Sequence, residues 1–363
     1  MSNIDPVVLS FAYVGCNRVG YHTYAKHDGQ TNASTANLPA LKRIFTELTQ
    51  RERTPDLFFF LGDMVEGLDR STDTLAQELA AWFAQYKDPT FSPVHDPQNG
   101  IELVAVTGNH EMLYYDENYP GPLGSGEFPL AGATETWLQF AEPFMPSDRW
   151  EVTENRQINQ ATFSFVREGV GFVVMNTDTY NDPQGDGHGR EGMIPAQWVN
   201  SQVNKLAQAD TVSHVFVLGH RPYYVGGQVD SSHSGFPDGG KIWDSLQANG
   251  VVAMLSAHQH NYARIQPGAK GGTYQIVAGN GGSPVASVPG ANDTYFGYSI
   301  IDVHQSGAVK HYSLGWEVGN PYDGPSPQRS TALLDSVTLT WQKNPNVYSG
   351  GVIDSAYLQY SAQ

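Results

Sequence analysis

Residues 57–63 read Leu-Phe-Phe-Phe-Leu-Gly-Asp, an apolar run that stops at a glycine and an aspartate. Four other apolar runs end in a similar way. They lead into Gly15-Cys16, Gly108-Asn109-His110-Glu111, Gly219-His220 and Ala257-His258-Gln259-His260. Nearly continuous apolar runs are typical of strands that are covered on both faces of a sheet. Ligands of open α/β sheets bind outside the carboxyl ends of the strands, so these five endings predict one shared site.

The rest of the chain predicts an α/β fold. Strands are predicted at 7–14, 57–61, 103–106, 172–175, 215–218 and 251–255, with amphipathic helical patterns between several of them. Later strands are predicted at 274–277, 298–303, 309–314 and 337–341. The middle pair should form a hairpin around Gln305-Ser306-Gly307, and the Gly- and Pro-rich segment 315–328 should be a loop. One domain with two stacked sheets is the simplest account of this pattern.

Composition restricts the partners. The chain has 20 Lys and Arg against 37 Asp and Glu, a net charge of −17. This balance disfavours a nucleic-acid surface, although bound cations could still draw in a small anionic substrate. No run approaches the roughly 20 apolar residues of a membrane span. The first residues show no signal peptide, which leaves the compartment open between the cytoplasm and, if a leader was trimmed, the periplasm or exterior.

The pair His258 and His260 is a stronger metal signal than any single strand ending. If the strand continued through this pair, both rings would lie on one face, where they could share one metal ion or bind two adjacent ions. A lone Gly-Asp or Gly-His after a strand is more often a simple turn. Five such endings in order are difficult to explain as turns alone.

In their order and spacing, four of these motifs resemble the metallophosphoesterase superfamily of calcineurin-like enzymes, namely Gly62-Asp63, Gly108-Asn109-His110-Glu111, Gly219-His220 and Ala257-His258-Gln259-His260. Arg221-Pro222-Tyr223-Tyr224 and Asn261-Tyr262-Ala263-Arg264 resemble its purple acid phosphatase branch. The resemblance spans about residues 9 to 314. It implies a four-layer α/β/β/α sandwich of two mixed sheets flanked by helices. The expected division is a catalytic domain over 1–315 and a C-terminal extension over 316–363 that packs on the same domain.

The resemblance also implies a dinuclear metal centre that hydrolyses phosphate esters, with metal-bound hydroxide as the nucleophile. Asp63 would bridge both ions, and His260 would belong to one of the two metal sites. The other site, expected to hold zinc, manganese or iron, would be formed by Asp63, Asn109, His220 and His258. His110 would hydrogen-bond the phosphate or protonate the leaving group.

The first motif departs from the family pattern. Members usually place an aspartate after the first strand, often followed two residues later by histidine, whereas this chain has Cys16, Asn17 and Arg18. Either the first metal site is degraded or a thiolate replaces the carboxylate. Cysteine followed by Asn or Gln resembles the alkaline phosphatase D branch, in which a cysteine thiolate binds ferric iron. We therefore expect iron at a site formed by Cys16, Asp63 and His260, since thiolate ligands favour iron or zinc over magnesium or calcium.

Three residues are candidates for substrate binding. Arg18 could clamp phosphate oxygens bidentately or form an ordinary surface ion pair. Asn17 and Tyr223 could line the pocket, although a tyrosine beside a turn is often only packing. Glu66 stands where the purple acid phosphatases have a tyrosine, and could be an oxygen ligand or face solvent.

Three functions are compatible with these residues. The leading hypothesis is a phosphatase acting on phosphate monoesters. A phosphodiesterase acting on cyclic nucleotides or phospholipid headgroups would use the same ligands with a different pocket. A metal-poor scaffold is disfavoured because the metal-capable residues are retained.

Overall fold

The computed structural model describes residues 5–19, 33–118, 126–151, 161–178, 194–225, 228–229, 237–267, 271–284, 295–318 and 329–340. The helices are α1 (Leu38–Thr49), α2 (Thr72–Lys87), α3 (Asn109–Met112), α4 (Ala133–Ala141), α5 (Ala196–Gln208) and α6 (Gly240–Ala248). The strands are β1 (Val7–Val14), β2 (Leu57–Leu61), β3 (Glu102–Val106), β4 (Leu113–Tyr115), β5 (Glu127–Pro129), β6 (Trp150–Glu151), β7 (Phe163–Arg167), β8 (Val170–Met175), β9 (His214–Gly219), β10 (Tyr224–Val225), β11 (Gln228–Val229), β12 (Ala253–Ser256), β13 (Tyr262–Ile265), β14 (Tyr274–Ala278), β15 (Tyr295–His304), β16 (Val309–Glu317) and β17 (Ala332–Leu339).

Two large mixed sheets form the centre of the fold. The first has six strands in the order β17-β16-β15-β1-β2-β3, in which β1, β2 and β3 are parallel and β15 to β17 are antiparallel additions. The second has seven strands in the order β13-β14-β12-β9-β8-β7-β6, with β8, β9, β12 and β14 parallel. The parallel strands of each sheet therefore bring their carboxyl ends to one edge of that sheet.

The strand β2 shows how the layers arise. Successive side chains of a strand point to opposite faces. Phe58 and Phe60 point to the helices, with ring centroids 5.9 Å from Phe45 of α1 and 5.3 Å from Trp82 of α2. Phe59 points the other way, and its ring centroid lies 5.1 Å from that of Phe172 in the second sheet. This strand therefore packs against the helices on one face and against the second sheet on the other.

Helices α5 and α6 cover the outer face of the second sheet. Their buried residues, which pack against the second sheet, are Val199, Val203, Leu206, Ile242, Trp243 and Leu246. Together with α1 and α2 on the first sheet, they complete the predicted α/β/β/α sandwich, so the fold class is confirmed. Within the described residues, no helix has the length and apolar character needed to cross a membrane.

The predicted strands agree with the structure in position, with corrections at several ends. The ranges 7–14 and 57–61 coincide with β1 and β2. The predicted late strand 337–341 was placed too late, because β17 begins at Ala332 where it pairs with Gly315 of β16. For the same reason the predicted loop 315–328 is wrong at its start, where β16 continues to Glu317. Residues 319–328 and 341–363 lie outside the described residues.

The C-terminal segment contributes β17 to the edge of the first sheet. This strand pairs antiparallel with β16 over Ala332–Leu339. The division at residue 315 stays a prediction.

Candidate metal centre

Main-chain hydrogen bonds join the strand endings of the two sheets. Cys16 N–H donates to Gly62 O at 3.0 Å, and Ala257 N–H donates to His220 O at 2.8 Å. Gly15 N–H donates to Ala278 O at 2.9 Å, which connects the first sheet to the second. The predicted meeting of these endings is therefore what the tertiary structure shows.

Two glycines allow the endings to approach each other so closely. Gly62 has φ +83°, and an added Cβ would lie 2.5 Å from Gly108 N. An added Cβ on Gly108 would lie 2.4 Å from Asp63 Oδ1. Any side chain at either position would push the Asp63 and Asn109 loops apart.

Three predicted ligands have backbone conformations that are uncommon outside glycine. Cys16, Asp63 and His258 have φ values of 57°, 55° and 63°. Such left-handed residues cost on the order of 1–3 kcal/mol each and cluster at functional sites. Three separate loops adopt this conformation where each presents its side chain to the same centre, which points to a functional site.

The metal-capable atoms of Asp63, Asn109, His220 and His258 make four close contacts. His220 Nε2 is 3.1 Å from Asp63 Oδ1 and 3.0 Å from Asn109 Oδ1. His258 Nδ1 is 3.1 Å from Asn109 Oδ1 and 3.2 Å from His220 Nε2. Donors that share one cation at about 2.1 Å lie about 3.0–3.4 Å apart, so each of these four contacts has the spacing of neighbouring metal ligands.

The tautomer of His220 suits a metal ligand. Its Nδ1 lies 2.6 Å from Leu61 O, a carbonyl that can only accept, so Nδ1 carries a proton. In the neutral ring the lone pair of Nε2 then faces Asp63 and Asn109. Burial works against a proton on the second nitrogen, but the Asp63 carboxylate outweighs burial and raises the pKa of His220. A cation between these groups would replace that proton.

Asp63 lies at the centre of the charged groups. Its Oδ1 faces His220, while its Oδ2 is 3.7 Å from Arg18 Nε and 4.0 Å from His110 Nε2. Burial would raise the pKa of Asp63, but His220, His110 and Arg18 hold it well below its usual range. A carboxylate whose two oxygens face different groups suits the bridging role that the resemblance implies.

His260 is oriented by a main-chain carbonyl. Its Nδ1 donates to Pro284 O at 2.7 Å, which leaves Nε2 as the lone-pair nitrogen of the ring. Burial, with Arg18 nearby, lowers the pKa of His260 to about 4, so the ring is neutral at neutral pH, as a metal ligand must be.

Cys16 lies beside the metal-capable cluster. The ligand atoms of Cys16, Asp63 and His220 all lie within 4.8 Å of one another, and His258 N–H donates to Cys16 Sγ at 3.1 Å. Burial, with Asp63 nearby, raises the pKa of the Cys16 thiol well above its usual value. The structure thus groups Cys16 with His220, whereas the sequence grouped it with His260, which is not a member of this three-residue group. The assignment of Cys16 to a particular ion stays a prediction.

The three candidate substrate residues have different surroundings. Arg18 is 22% exposed, and its Nη1 lies 3.5 Å from Glu66 Oε2, so Glu66 faces Arg18. Asn17 is fully buried, and its NH₂ group donates to the main-chain carbonyls of Asn37 and Gly281, which holds two loops together. The Tyr223 ring packs against Tyr224 and Trp243. Substrate contact by Arg18, Asn17 and Tyr223 stays a prediction.

His110 lies within the loop that carries Asn109. Its Nδ1 donates to the main-chain carbonyl of Glu66, which turns Nε2 toward Asp63. Burial and the nearby Arg18 cation lower the pKa of His110 to about 3. The predicted contact with phosphate or leaving group stays a prediction.

Sequence reasoning quoted Glu111 in a motif but gave it no role. The buried Glu111 carboxylate accepts hydrogen bonds from four main-chain N–H groups, those of Asp63 (3.0 Å), Met64 (2.7 Å), Val65 (3.3 Å) and Gly108 (2.7 Å). It therefore ties the loop after β2 to the loop after β3. The only signal in the sequence was its position two residues after Asn109. Three of the four N–H groups that it accepts from, those of Asp63, Met64 and Val65, are 46 to 48 residues away along the chain.

Three further charged residues were missed, namely Glu127, Asp178 and Arg221. Arg221 is fully buried and pairs with Asp178, with 2.7 Å between Arg221 Nε and Asp178 Oδ1. Glu127 accepts a hydrogen bond from Asn109 Nδ2 at 3.0 Å. Asp178 lies three residues after the end of β8 at Met175, and no sequence pattern links it to Arg221, which is 43 residues away.

Comparisons with known proteins show the family and the fold of the chain. Residues 22–262 match the family model described as calcineurin-like phosphoesterase. No curated protein matches the sequence. Three solved structures share the fold at low sequence identity. "Structure of PhoD" has 15% identity and a TM-score of 0.54, covering 97% of this chain and 73% of that one.

The two other structures differ in their printed descriptions. A dimetal phosphatase from Danio rerio has 13% identity and a TM-score of 0.56, covering 93% of this chain and 100% of that one. GAP50, described as the anchor in the inner membrane complex of Plasmodium, has 13% identity and a TM-score of 0.52, covering 92% of this chain and 89% of that one. At these identities the likeness shows the fold alone.

Proposed function

The chain belongs to the calcineurin-like phosphoesterase family, and from that premise we propose that it hydrolyses small phosphate monoesters at a centre of two metal ions. It is a metallophosphoesterase, and the family generally uses two metal ions. The observation that carries the proposal is the convergence of Asp63, Asn109, His220 and His258, whose metal-capable atoms make four contacts of 3.0 to 3.2 Å. Nothing in an apolar core requires that arrangement, since burying polar and charged groups together is costly.

The residues of the chain would divide the work. When bound, the ions would supply positive charge to the phosphate oxygens and lower the pKa of water toward neutrality. Asp63, Asn109, His220 and His258 would hold one ion, and Asp63 would contribute its other oxygen to the second, with His260 as a further ligand.

Arg18 and His110 would act on the substrate. Arg18 lies beside Asp63 Oδ2 and is partly exposed, so its guanidinium group can reach phosphate oxygens from solvent. Glu66 holds this guanidinium from the other side at 3.5 Å. His110 presents Nε2 toward the same carboxylate oxygen at 4.0 Å, on the side where a leaving group could be contacted.

A substrate comparison tests this function. The metal-loaded protein should hydrolyse p-nitrophenyl phosphate faster than bis-p-nitrophenyl phosphate, and chelation should abolish turnover until metal is returned. Metal content is measured on the same samples. A faster diester reaction would favour the phosphodiesterase alternative. Substoichiometric metal with no turnover of either ester would contradict hydrolysis and favour a scaffold. A scaffold role is considered because GAP50, described as an anchor, has the same fold.

We further propose that Cys16 is a thiolate ligand and that it selects iron or zinc. A bound cation would deprotonate the thiol, because metal coordination outweighs the burial that otherwise raises the pKa of Cys16. We expect Cys16→Ser to lower zinc affinity by at least about tenfold, the lower limit seen for weaker outer-shell changes. The measurement is metal content after exposure to equimolar iron, zinc and manganese.

Two results would separate the possible roles of Cys16. Cys16→Ala leaves no ligand atom, whereas serine retains an oxygen, so the alanine variant should lose more metal than the serine variant. Since Cys16 is the sole cysteine, no other thiol can obscure the result. Unchanged iron and zinc content with unchanged activity would remove Cys16 from the site.

A further inference from the structure

Glu127 is an acidic residue on a short strand next to the candidate metal centre. It begins β5, which pairs with β4 through the partners Tyr115 and Glu127. Although the residue is charged, its side chain is only 7% exposed. A carboxylate is rarely buried to this extent without fixed partners.

The partner that matters is Asn109. We propose that Glu127 is a positioning residue that turns the amide oxygen of Asn109 toward the metal site, an inference that rests on the proposed function. Asn109 Nδ2 donates to Glu127 Oε2 at 3.0 Å, while Asn109 Oδ1 faces His220 Nε2 and His258 Nδ1. A carboxylate can only accept, so it selects the orientation in which the NH₂ group points away from the ion.

Arg221 and Asp178 hold the Glu127 carboxylate in place. Arg221 Nη2 lies 3.5 Å from Glu127 Oε2, the same oxygen that receives the Asn109 hydrogen bond. Arg221 is itself fixed by Asp178 through a contact of 2.7 Å between buried groups. The guanidinium charge also offsets the cost of burying the Glu127 carboxylate.

Loss of Glu127 would favour the wrong amide orientation. With the carboxylate gone, the Asn109 NH₂ group can turn to His220 Nε2, a hydrogen-bond acceptor in the neutral ring. The NH₂ group would then face the cation in place of the amide oxygen. The amide would have to rotate before the cation could bind. Outer-shell partners of metal ligands typically change metal affinity by about 10–100-fold.

The experiment compares Glu127→Ala, Glu127→Gln and the control Glu102→Gln. Glu102 begins β3, at the end of the strand away from Asn109, and its side chain is 42% exposed. Zinc affinity is measured by competition with a chromogenic chelator, and the visible absorption spectrum of the cobalt-loaded protein reports the ligand geometry. We expect Glu127→Ala to bind zinc about 10–100-fold more weakly with an altered cobalt spectrum, and Glu102→Gln to match the wild type.

Glu127→Gln separates positioning from folding. Its carbonyl can still accept from Asn109 Nδ2, so it should recover most of the affinity lost in the alanine variant. If Glu127→Ala binds zinc within twofold of the wild-type affinity and has an unchanged cobalt spectrum, the inference is overturned while the proposed function stays intact. A folded Glu127→Gln protein as weak as the alanine variant would also overturn it. If the wild type itself takes up no divalent cation, the proposed function fails as well.

Discussion

Asp63→Asn is expected to lower kcat/KM for a phosphate monoester by more than about 100-fold and to reduce bound metal. The two carboxylate oxygens of Asp63 face both halves of the site, His220 on one side and Arg18 with His110 on the other. Asparagine keeps the shape but removes the charge and one oxygen. Changes to outer-shell residues alone cost about 10–100-fold, so loss of a bridging ligand should exceed that range.

The control for this variant is Asp210→Asn. Asp210 is exposed and precedes β9, at the end of that strand away from His220. It should retain wild-type metal content and kcat/KM. The measurements are steady-state kinetics on p-nitrophenyl phosphate and metal analysis of the same preparations. An Asp63→Asn protein with full metal content and activity within tenfold of the wild type would contradict the bridging role.

Asp335→Ala is expected to lower the free energy of unfolding by about 3 kcal/mol. Asp335 of β17 accepts hydrogen bonds from Arg264 Nε at 2.7 Å and Tyr262 Oη at 2.6 Å, both on β13 of the other sheet. The Arg264 side chain is only 3% exposed, so in the variant the buried guanidinium group of Arg264 loses the carboxylate of Asp335. We take the lower end of the range for broken buried ion pairs because the Asp335 side chain is 10% exposed. Urea unfolding measures the change.

Ser336→Ala is the matched control, because Ser336 is an exposed neighbour on the same strand. Its free energy of unfolding should stay within about 0.5 kcal/mol of the wild type. An equal loss in both variants would show that β17 responds to any substitution and that the ion pair is not the cause. No loss in Asp335→Ala would contradict the stabilising role of the pair.

The effect of Asp335 should also depend on pH. Burial would raise the pKa of Asp335, but hydrogen bonds from Arg264 and Tyr262 outweigh burial and lower it below its ordinary value. A lowered pKa in the folded state gives stability that is fully present above the unfolded value of about 3.9 and is lost as pH falls through the folded value. The difference in unfolding free energy between the wild type and Asp335→Asn should therefore be constant near pH 7 and shrink below about pH 4.

The position of Asp335 connects the C-terminal segment to the metal centre. Tyr262 and Arg264 lie on β13, which begins two residues after His260. A strand that anchors β13 therefore also supports the loop that carries His258 and His260. We propose that the segment after residue 315 packs on the same domain as the site, as the sequence led us to expect.

The sequence was sufficient to predict the two-sheet layering and the position of the candidate site. The apolar runs of β1 and β2 were long enough and β-branched or aromatic enough to be predicted with their observed ends. The metal-capable residues could be found because each follows its strand directly, and parallel strands bring such endings to one edge. These features depend on neighbours along the chain, so periodicity and local order are sufficient to show them.

The pairing of the buried charged groups could be known only from the folded chain. Glu127 lies 18 residues from Asn109 and 94 from Arg221, and Asp335 lies 71 residues from Arg264. No periodic pattern links residues at such separations, because their contact depends on how two sheets and their connecting loops pack. A buried charge costs several kcal/mol unless it is paired, so packing has to provide these partners, but a sequence shows only that charged residues exist.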